Sequence, residues 1–293
     1  MDIESHPRYV PLTDQPKQGS DAWFALREGV CTGSRPSSLY FDLTSPEKWK
    51  ECHEKIFGKR KEVFDERALA AMAWGSKHED SAVEVILNTF PNAIFEETPF
   101  LAHNDYDFLA ASPDGRIIVK EDDGTEWTAN VEIKCVGTNC LIQTKQFQDY
   151  RAAQKALENN PNDPVCQFDA EQQALKWQEY CDTKGYPDMA KYLRKKKGPP
   201  AYYMGQIAME MCVQREEKTL FVMWTPLLCK MHLLDFDHAY YTQTVDYIDA
   251  FRKQLVPWHV MDAKHRAWKR TSWVVANKAT LLHELQLNKQ IKF

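Results

Sequence analysis

The chain has 293 residues, of which 43% are hydrophobic, 12% aromatic and 27% charged. This balance is typical of a globular protein and excludes a disordered, collagen-like or low-complexity chain. The 37 basic and 42 acidic residues give a net charge of −5, which disfavours a protein that coats nucleic acid over its whole surface. A local basic groove remains compatible with that charge.

No apolar run approaches the roughly 20 residues that a membrane span needs, and the longest is about Leu220–Trp224. The chain begins with acidic residues and without an apolar stretch, so we expect no secretory signal. Its 8 cysteines are scattered without a C-x-x-C pair, which favours free thiols over disulfides, zinc or iron–sulfur sites. We therefore expect a soluble intracellular protein.

The predicted elements of the first ninety or so residues are helices that follow a polar lead-in, residues 1–18. Ser20 and Ser45 are good N-cap residues, and Gly29 and Gly58 are typical stops. Apolar residues then recur with helical period over Asp65–Thr89. Helices are predicted, in chain order, at about 20–29, from Ser34, at 46–58 and at 65–89.

After Pro91 the pattern changes from helical to extended. Short segments rich in β-branched and aromatic residues follow, and Asp122-Asp123-Gly124 supplies a turn between the last two, which predicts a hairpin. The predicted strands are Ala93–Leu101, Phe108–Ala111, Arg116–Lys120 and Glu126–Val136.

The second half of the chain is interpreted as a polar helical insertion, about 147–200, followed by a return to the core. The insertion should hold two or three helices, with loops at its two proline-containing runs, 159–164 and 195–200. Beyond it we predict a helix at 201–213, strands at 219–225 and 231–235, a helix at 237–254 and a basic tail at 267–293. Three leucines of the tail indicate an amphipathic terminal helix: Leu281, Leu282 and Leu285.

One constellation carries chemistry. Ser112-Pro113-Asp114-Gly115 joins two predicted strands, and 17 residues separate Asp114 from Glu132 in Val131-Glu132-Ile133-Lys134. Glu132 and Lys134 share one face of a strand, and a hairpin would bring Asp114 beside Glu132. Two carboxylates without a thiolate or histidine suit Mg²⁺, and the lysine could hold or deprotonate a water or neutralise a phosphoryl oxygen. Taken alone, however, this spacing is more typical of a surface hairpin whose acids and lysine form solvated ion pairs.

Two glycines interrupt predicted helices next to polar residues. Gly75 lies four residues before Glu79, and Gly205 directly precedes Gln206. A glycine inside a helix costs about 1 kcal/mol relative to alanine, so its presence indicates that another backbone or a ligand approaches closely. Each feature by itself is more typical of packing than of function.

Six segments with characteristic residues occur in order, over about residues 18–235 without the insertion. They are Gln18–Trp23 with Leu26-Arg27 and Thr32–Ser34, Ala73–Gly75 with Glu79, Ser112–Gly115, Glu132–Cys135, Tyr203–Gln206 and Trp224–Pro226. Together they resemble the lambda-exonuclease and YqaJ-like viral recombinase family of the PD-(D/E)xK nuclease superfamily. The resemblance implies an α/β fold with a restriction-endonuclease-like core over 19–266, in which helices flank a mixed, mostly antiparallel sheet.

The resemblance also implies a metal centre. Asp114, Glu132 and the backbone carbonyl of Ile133 would bind Mg²⁺, and Glu79 would complete the acidic cluster around a second ion, with Mn²⁺ as a substitute. Lys134 would position or activate the attacking water.

Further roles follow from the same resemblance. Gln206 would orient the water or the scissile phosphate. Arg27, Ser34 and Ser112 match positions that hold a 5′-terminal phosphate, which suits a guanidinium fork and hydroxyls at a helix start. Met72 matches an apolar residue that wedges the duplex open, although core packing explains it equally well.

The implied activity is Mg²⁺-dependent 5′-to-3′ digestion of double-stranded DNA ends, which leaves 3′ single strands for an annealing protein in recombination or repair. An endonuclease or an RNA-degrading nuclease of the same superfamily is the alternative, and a non-catalytic DNA-binding scaffold is a second one. Relatives form trimeric rings, but the insertion leaves the oligomeric state open. A phage or large DNA virus would place the protein in the cytoplasm or nucleus of an infected host.

Basic runs and one histidine stand beside this site. Lys191–Lys197 and residues 264–293 concentrate positive charge and could line a DNA track, or could simply be solvated surface. His78 is adjacent to Glu79 and is interpreted as a bystander.

Overall fold

The structure, a computed structural model, describes residues 14–16, 20–58, 64–254 and 257–288. Most of the predicted lead-in and the Gln18-Gly19 pair therefore lie outside the described residues. The helices are α1 (Asp21–Leu26), α2 (Arg35–Leu39), α3 (Pro46–Phe57), α4 (Glu66–Thr89), α5 (Asn139–Ile142), α6 (Lys145–Asn159), α7 (Pro164–Tyr180), α8 (Tyr186–Arg194), α9 (Met204–Gln214), α10 (His238–Lys253) and α11 (Trp258–Ala276). A π-helical turn, Cys181–Gly185, joins α7 to α8, and a 3₁₀ turn, Ala201–Tyr203, precedes α9.

The strands form two sheets and are β1 (Cys31–Thr32), β2 (Ile94–Glu96), β3 (Leu101–Ala102), β4 (Leu109–Ala111), β5 (Gly115–Lys120), β6 (Glu126–Cys135), β7 (Lys218–Thr225), β8 (Leu228–Asp235) and β9 (Thr280–Gln286). The larger sheet has the order β2-β5-β6-β7-β8-β9, and only its β6–β7 pair is parallel. The smaller sheet has the order β1-β4-β3, with β1 parallel to β4. The predicted α/β class, with a mixed, mostly antiparallel sheet flanked by helices, is confirmed.

The β5–β6 hairpin sets the register that the chemistry needs. Gly124 adopts a left-handed conformation with φ of +85° and closes the turn by donating its N–H to the Glu121 carbonyl at 3.0 Å. Gly115 is the register partner of Val131. Asp114, one residue before Gly115, therefore lies opposite Glu132, one residue after Val131.

Both faces of the larger sheet are covered. Val131 and Ile133 point into a core that contains Trp74 and Ile86 of α4 and Trp177 of the helical block. Phe221 and Met223 of β7 point into a second core with residues of α9, α10 and α11. The middle of the sheet is consequently dry, and a charged side chain there needs partners.

The helical block between β6 and β7 was predicted as an insertion with two or three helices, and α6, α7 and α8 are those helices. Its anchor is Trp177, 1% exposed, whose ring packs against Phe147, Tyr150 and Tyr180 at centroid distances of 5.4, 6.1 and 5.7 Å. Loops occur at both predicted runs, after Asn159 and after Arg194. Trp177 also belongs to the same core as Val131 and Ile133 of β6, and α8 contacts β7, so the block is packed on the sheet.

The end of the chain differs from the prediction. The predicted amphipathic helix at Leu281, Leu282 and Leu285 is wrong, because these residues belong to β9, which pairs antiparallel with β8. The predicted start of the tail at 267 falls inside α11. The single strand predicted at Ala93–Leu101 is also wrong: it is divided between β2 and β3, which belong to different sheets.

Two expectations of composition can be compared with the described residues. All eight cysteines are free, and half of them are buried: Cys31, Cys52, Cys181 and Cys229. Over the described ranges, no helix combines the length and the apolar character that crossing a membrane requires.

Candidate active site

Asp114 is docked on the backbone of β6. Its Oδ2 accepts a hydrogen bond from the Ile133 N–H at 2.6 Å, and Thr98 Oγ1 fixes the preceding turn by donating to the Pro113 carbonyl at 2.6 Å. Burial raises the pKa of Asp114 to about 7, and repulsion from Glu132 adds to the rise, while Lys134 and the Ile133 N–H oppose it. The carboxyl is thus held in place and is easily protonated when no cation is near.

Glu132 and Lys134 lie on the same face of β6, as the alternation of a strand requires. Glu132 is 1% exposed, and its Oε1 forms an ion pair with Lys134 Nζ. The ammonium also stands 5.2 Å from the centre of the Tyr203 ring. Burial lowers the pKa of Lys134, but Glu132 and Asp114 raise it by more, so the net shift is upward. The lysine therefore remains charged and is suited to neutralise and position rather than to remove a proton.

Glu79 approaches the same cluster from α4, which packs on β6. Burial raises its pKa to about 7, and repulsion from Asp114 contributes next, whereas Lys134 opposes the rise. The adjacent His78 is buried between Trp74 and Trp224, with ring centroids at 4.1 and 5.4 Å. Burial lowers the pKa of His78 to about 4, so it is a neutral packing residue, in agreement with its interpretation as a bystander.

Gln206 connects α9 to β6. Its Nε2 donates to Glu132 Oε1 at 2.6 Å and to Glu210 Oε1 at 2.8 Å, and all three side chains are buried. Glu210 was missed in the sequence. Its signal was a glutamate four residues after Gln206, on the same face of a helix that is otherwise apolar.

Glu210 has an unusual environment. Burial raises its pKa well above the ordinary range, and repulsion from Glu132 adds to this, while the Gln206 hydrogen bond opposes it. Its Oε2 is buried and has no hydrogen-bond partner among the described residues. A Cβ at Gly33 would lie 2.8 Å from Glu210 Oε1, so only glycine leaves room for this carboxylate. Glu210 thereby ties the Thr32–Ser34 turn to the acidic cluster.

The three residues expected to bind a terminal phosphate lie at one end of the small sheet. Arg27 Nη2 donates to Thr32 Oγ1 at 2.6 Å and to Ser34 Oγ at 3.4 Å, and the guanidinium packs 4.2 Å from the Trp23 ring centre. Thr32 is the register partner of Ala110 in the parallel β1–β4 pair. Ser34 lies two residues after Thr32, and Ser112 lies two residues after Ala110. Because the strands are parallel, both of these exposed serines lie beyond the same end of the sheet.

The two helical glycines have different surroundings. A Cβ at Gly205 would lie 2.8 Å from both Pro36 Cβ and Trp268 Cζ2, so close packing explains this glycine. A Cβ at Gly75 would meet no atom of the described chain within 4 Å, so the predicted close approach of another backbone at this position is wrong. Met72, one turn earlier, is 45% exposed, which overturns the alternative that it is a core residue.

The donor chemistry fits a hard divalent cation. Among the described residues no three His, Cys, Asp or Glu side chains already converge as a ligand set, because Glu132 faces Lys134 and Gln206 while Asp114 faces the Ile133 N–H. Burial raises the pKa of Asp114, Glu79 and Glu210, and repulsion from neighbouring carboxylates adds to each rise. A cation would relieve that repulsion, and oxygen donors are what Mg²⁺ prefers.

Comparison with known proteins gives one family match, over residues 22–173, to the YqaJ-like viral recombinase domain. No curated protein matches the chain. The solved structures that resemble it include the alkaline exonuclease LHK-Exo from Laribacter hongkongensis, with 17% identity over 88% of this chain and 100% of that chain and a TM-score of 0.46. LHK-Exo in complex with dAMP gives the same identity and coverage and a TM-score of 0.45.

The family match contains most of the candidate site. The matched range includes Arg27, Ser34 and Met72 and also Glu79, Asp114, Glu132 and Lys134. Gln206 lies beyond its end. The match continues over α6 and into α7, so the first part of the predicted insertion falls inside the matched range. Since it covers just over half of the chain, the protein belongs to the family of YqaJ-like viral recombinase domains.

Proposed function

We propose that this protein is a divalent-metal-dependent nuclease that removes nucleotides from the 5′ ends of double-stranded DNA. The observation that carries this proposal is the continuity between the Arg27–Ser34 pair and the acidic cluster, which meet where Gly33 packs against Glu210. On the other side, Ser112 is only two residues from Asp114. A pocket for a terminal phosphate beside a hydrolytic centre is what an exonuclease requires.

The acidic cluster is the place for the metal. Asp114, Glu132, Glu79 and the carbonyl of Ile133 are the groups that would hold Mg²⁺, as two ions, with Mn²⁺ as a substitute. When bound, the ion supplies positive charge to the phosphoryl and leaving oxygens and brings water to the phosphorus. Lys134 holds a further positive charge at the same place, supported by its ion pair with Glu132.

The remaining residues hold either the acidic cluster or the DNA in position. Gln206 fixes Glu132 by its 2.6 Å hydrogen bond, so that the carboxylate cannot swing away when Lys134 contacts a phosphate. Arg27, Ser34 and Ser112 bind the 5′-terminal phosphate through charge-assisted hydrogen bonds. Met72, exposed on α4, inserts between the strands at the duplex end.

The product would be a duplex with a 3′ single strand, the substrate of an annealing protein in recombination or repair. An endonuclease or an RNA-degrading enzyme would not need a terminal-phosphate pocket, so Arg27 with Ser34 favours the exonuclease. A non-catalytic scaffold is also disfavoured, because placing the buried Glu132 beside the half-buried Asp114 and Lys134 costs free energy, and a binding module has no need of that arrangement.

End-labelled DNA tests the activity directly. A linear duplex with a 5′ phosphate, labelled separately at each end type, should lose nucleotides from its 5′ end with Mg²⁺ and should stay intact with a chelator. A covalently closed circular duplex should remain uncut under both conditions. Cleavage of the circle, or release of the 3′ label first, would contradict the proposed end specificity.

A further inference from the structure

Residues Lys191–Lys197, here called the basic segment, form a positively charged surface. The segment contains five basic residues and no acid, although the chain has a net charge of −5. It comprises the end of α8 and the following loop. Lys191, Lys195 and Lys197 are exposed. Within the described part of the chain, none of these three lysines forms a salt bridge with a carboxylate. Their positive charge therefore faces solvent without an internal counter-charge.

Hydrogen bonds from β8 fix the backbone of the loop that follows α8. Lys230 of β8, 5% exposed, donates to the carbonyls of Arg194 and Lys196 at 3.3 and 3.0 Å and pairs with Glu284 of β9 at 3.2 Å. His232, fully buried, forms a hydrogen bond with the Lys197 carbonyl at 3.3 Å. Because three backbone carbonyls are drawn inward, the lysine side chains are presented outward on a loop that is already ordered.

The sheet register fixes where this loop lies relative to the candidate active site. Lys134 is the register partner of Met223 on β7, and Met223 is the partner of Lys230 on β8. Directly opposed residues in a sheet point to the same face, and neighbouring strands are about 4.8 Å apart. Lys230 therefore lies about 10 Å from Lys134 on the same face of the sheet.

The chain itself provides a second connection. Six residues after Lys197 it reaches Tyr203, whose ring lies beneath the Lys134 ammonium. The basic segment thus stands at the margin of the acidic cluster rather than on a remote surface.

We propose that the basic segment binds the phosphodiester backbone of the DNA whose end occupies the active site, with Lys195 and Lys197 as phosphate contacts. This inference rests on the proposed function. Buried carboxylates repel a polyanion, so a nuclease of net negative charge needs concentrated positive charge beside them. Because its carbonyls are already hydrogen-bonded to Lys230 and His232, the loop supplies that charge without a backbone ordering cost, and only the lysine side chains are ordered on binding.

Salt-dependent binding tests this role. The affinity for a blunt duplex is measured at several salt concentrations in a chelator, for the wild-type protein and for the double variant K195Q/K197Q. Each lost phosphate contact makes the negative slope of log K against log salt shallower by about 0.9. The slope should therefore become less negative by roughly 2, and the low-salt affinity should fall by about 10-fold. K48Q/K50Q, which removes the same charge from exposed lysines on α3, should leave the slope unchanged.

A single strand of the same length is the second arm, where the expected slope change is about 0.7 per contact. If the slope changes in only one of the two arms, that arm identifies whether double-stranded or single-stranded DNA contacts the basic segment. Wild-type slopes in both arms, or an equal change in K48Q/K50Q, would overturn the inference. Failure of the proposed function would look different. The salt slopes of the wild type and K195Q/K197Q would differ as predicted, but the wild-type protein would not cleave DNA in Mg²⁺.

Discussion

The side-chain amide of Gln206 lies between two buried carboxylates, with its nitrogen 2.6 Å from Glu132 Oε1 and 2.8 Å from Glu210 Oε1. One NH₂ group therefore uses both of its protons to hold two acids apart. This bridge fixes the orientation of Glu132 before any cation or phosphate arrives. Because Glu210 is hydrogen-bonded to Gln206, which in turn holds Glu132, it has a defined influence on the site without being one of the proposed metal ligands.

Glu210 should act through Gln206. Glu210→Leu removes the acceptor of a buried hydrogen bond and leaves a Gln206 N–H unpaired, which costs about 1–3 kcal/mol, so kcat should fall by about 5- to 100-fold. Glu210→Gln keeps an oxygen that can accept the same bond and should restore most of kcat, with KM little changed in both variants. Steady-state digestion of a linear duplex measures this. Equal kcat for the wild type and Glu210→Leu would refute the positioning role.

The acidic cluster should make stability depend on pH. Folding raises the pKa of Asp114 from 3.8 and that of Glu79 from 4.5, each to about 7. Both groups bind protons more tightly in the folded protein, so their contribution is fully present below about pH 4 and is lost as the pH rises through 7. In a chelator the Tm should therefore fall between about pH 4.5 and pH 7.5 and level off above this range.

Asp114→Asn provides the control for this prediction. The variant cannot ionise, so its Tm should fall less over the same pH range, and Mg²⁺ should raise the Tm of the wild type at pH 8 more than that of the variant. Parallel Tm curves for the two proteins would show that Asp114 does not titrate as described.

Arg27 should discriminate between ends. Arg27→Gln removes the fork that would bind a terminal phosphate, so KM for 5′-phosphorylated duplex should rise by about 10- to 100-fold. For duplex with a 5′ hydroxyl, KM should stay near the wild-type value. The ratio of the two KM values is the readout. An equal loss on both substrates would indicate that Arg27 supports the fold through Thr32 instead.

The two helical glycines offer a matched pair for stability. Gly205→Ala places a Cβ 2.8 Å from Pro36 and Trp268 and should lower the free energy of unfolding by about 1–3 kcal/mol. Gly75→Ala meets open space and should raise it by up to about 1 kcal/mol. Urea unfolding measures both. Destabilisation by Gly75→Ala would mean that the surroundings of α4 are tighter than described.

Local signals were sufficient for the hairpin and its acids. The alternation of Val131 to Lys134 and the turn at Asp122–Gly124 lie close together in sequence, so strand, face and register could be predicted together. The terminal strand could not be predicted in this way. Leucines at 281, 282 and 285 suit a helix as well as a strand, and the deciding factor was the free edge of β8.

Glu210 was missed for a related reason. A glutamate on an apolar helix face can be a solvated rim residue or a buried partner, and the helix alone does not distinguish them. Its burial depends on Gly33, 177 positions away in the chain, and on Glu132 of another strand. Such a contact exists only after the sheet and α9 have assembled.

The most direct measurement of the central claim is digestion of a 5′-phosphorylated linear duplex in Mg²⁺ by the wild-type protein and by Glu132→Gln. The substitution keeps the side-chain shape but removes the charge that pairs with Lys134 and would bind the metal. We predict an unchanged circular dichroism spectrum and a rate lower by about 1,000-fold, the effect of losing several kcal/mol of charge stabilisation. A folded Glu132→Gln protein that digests DNA at the wild-type rate would contradict the account.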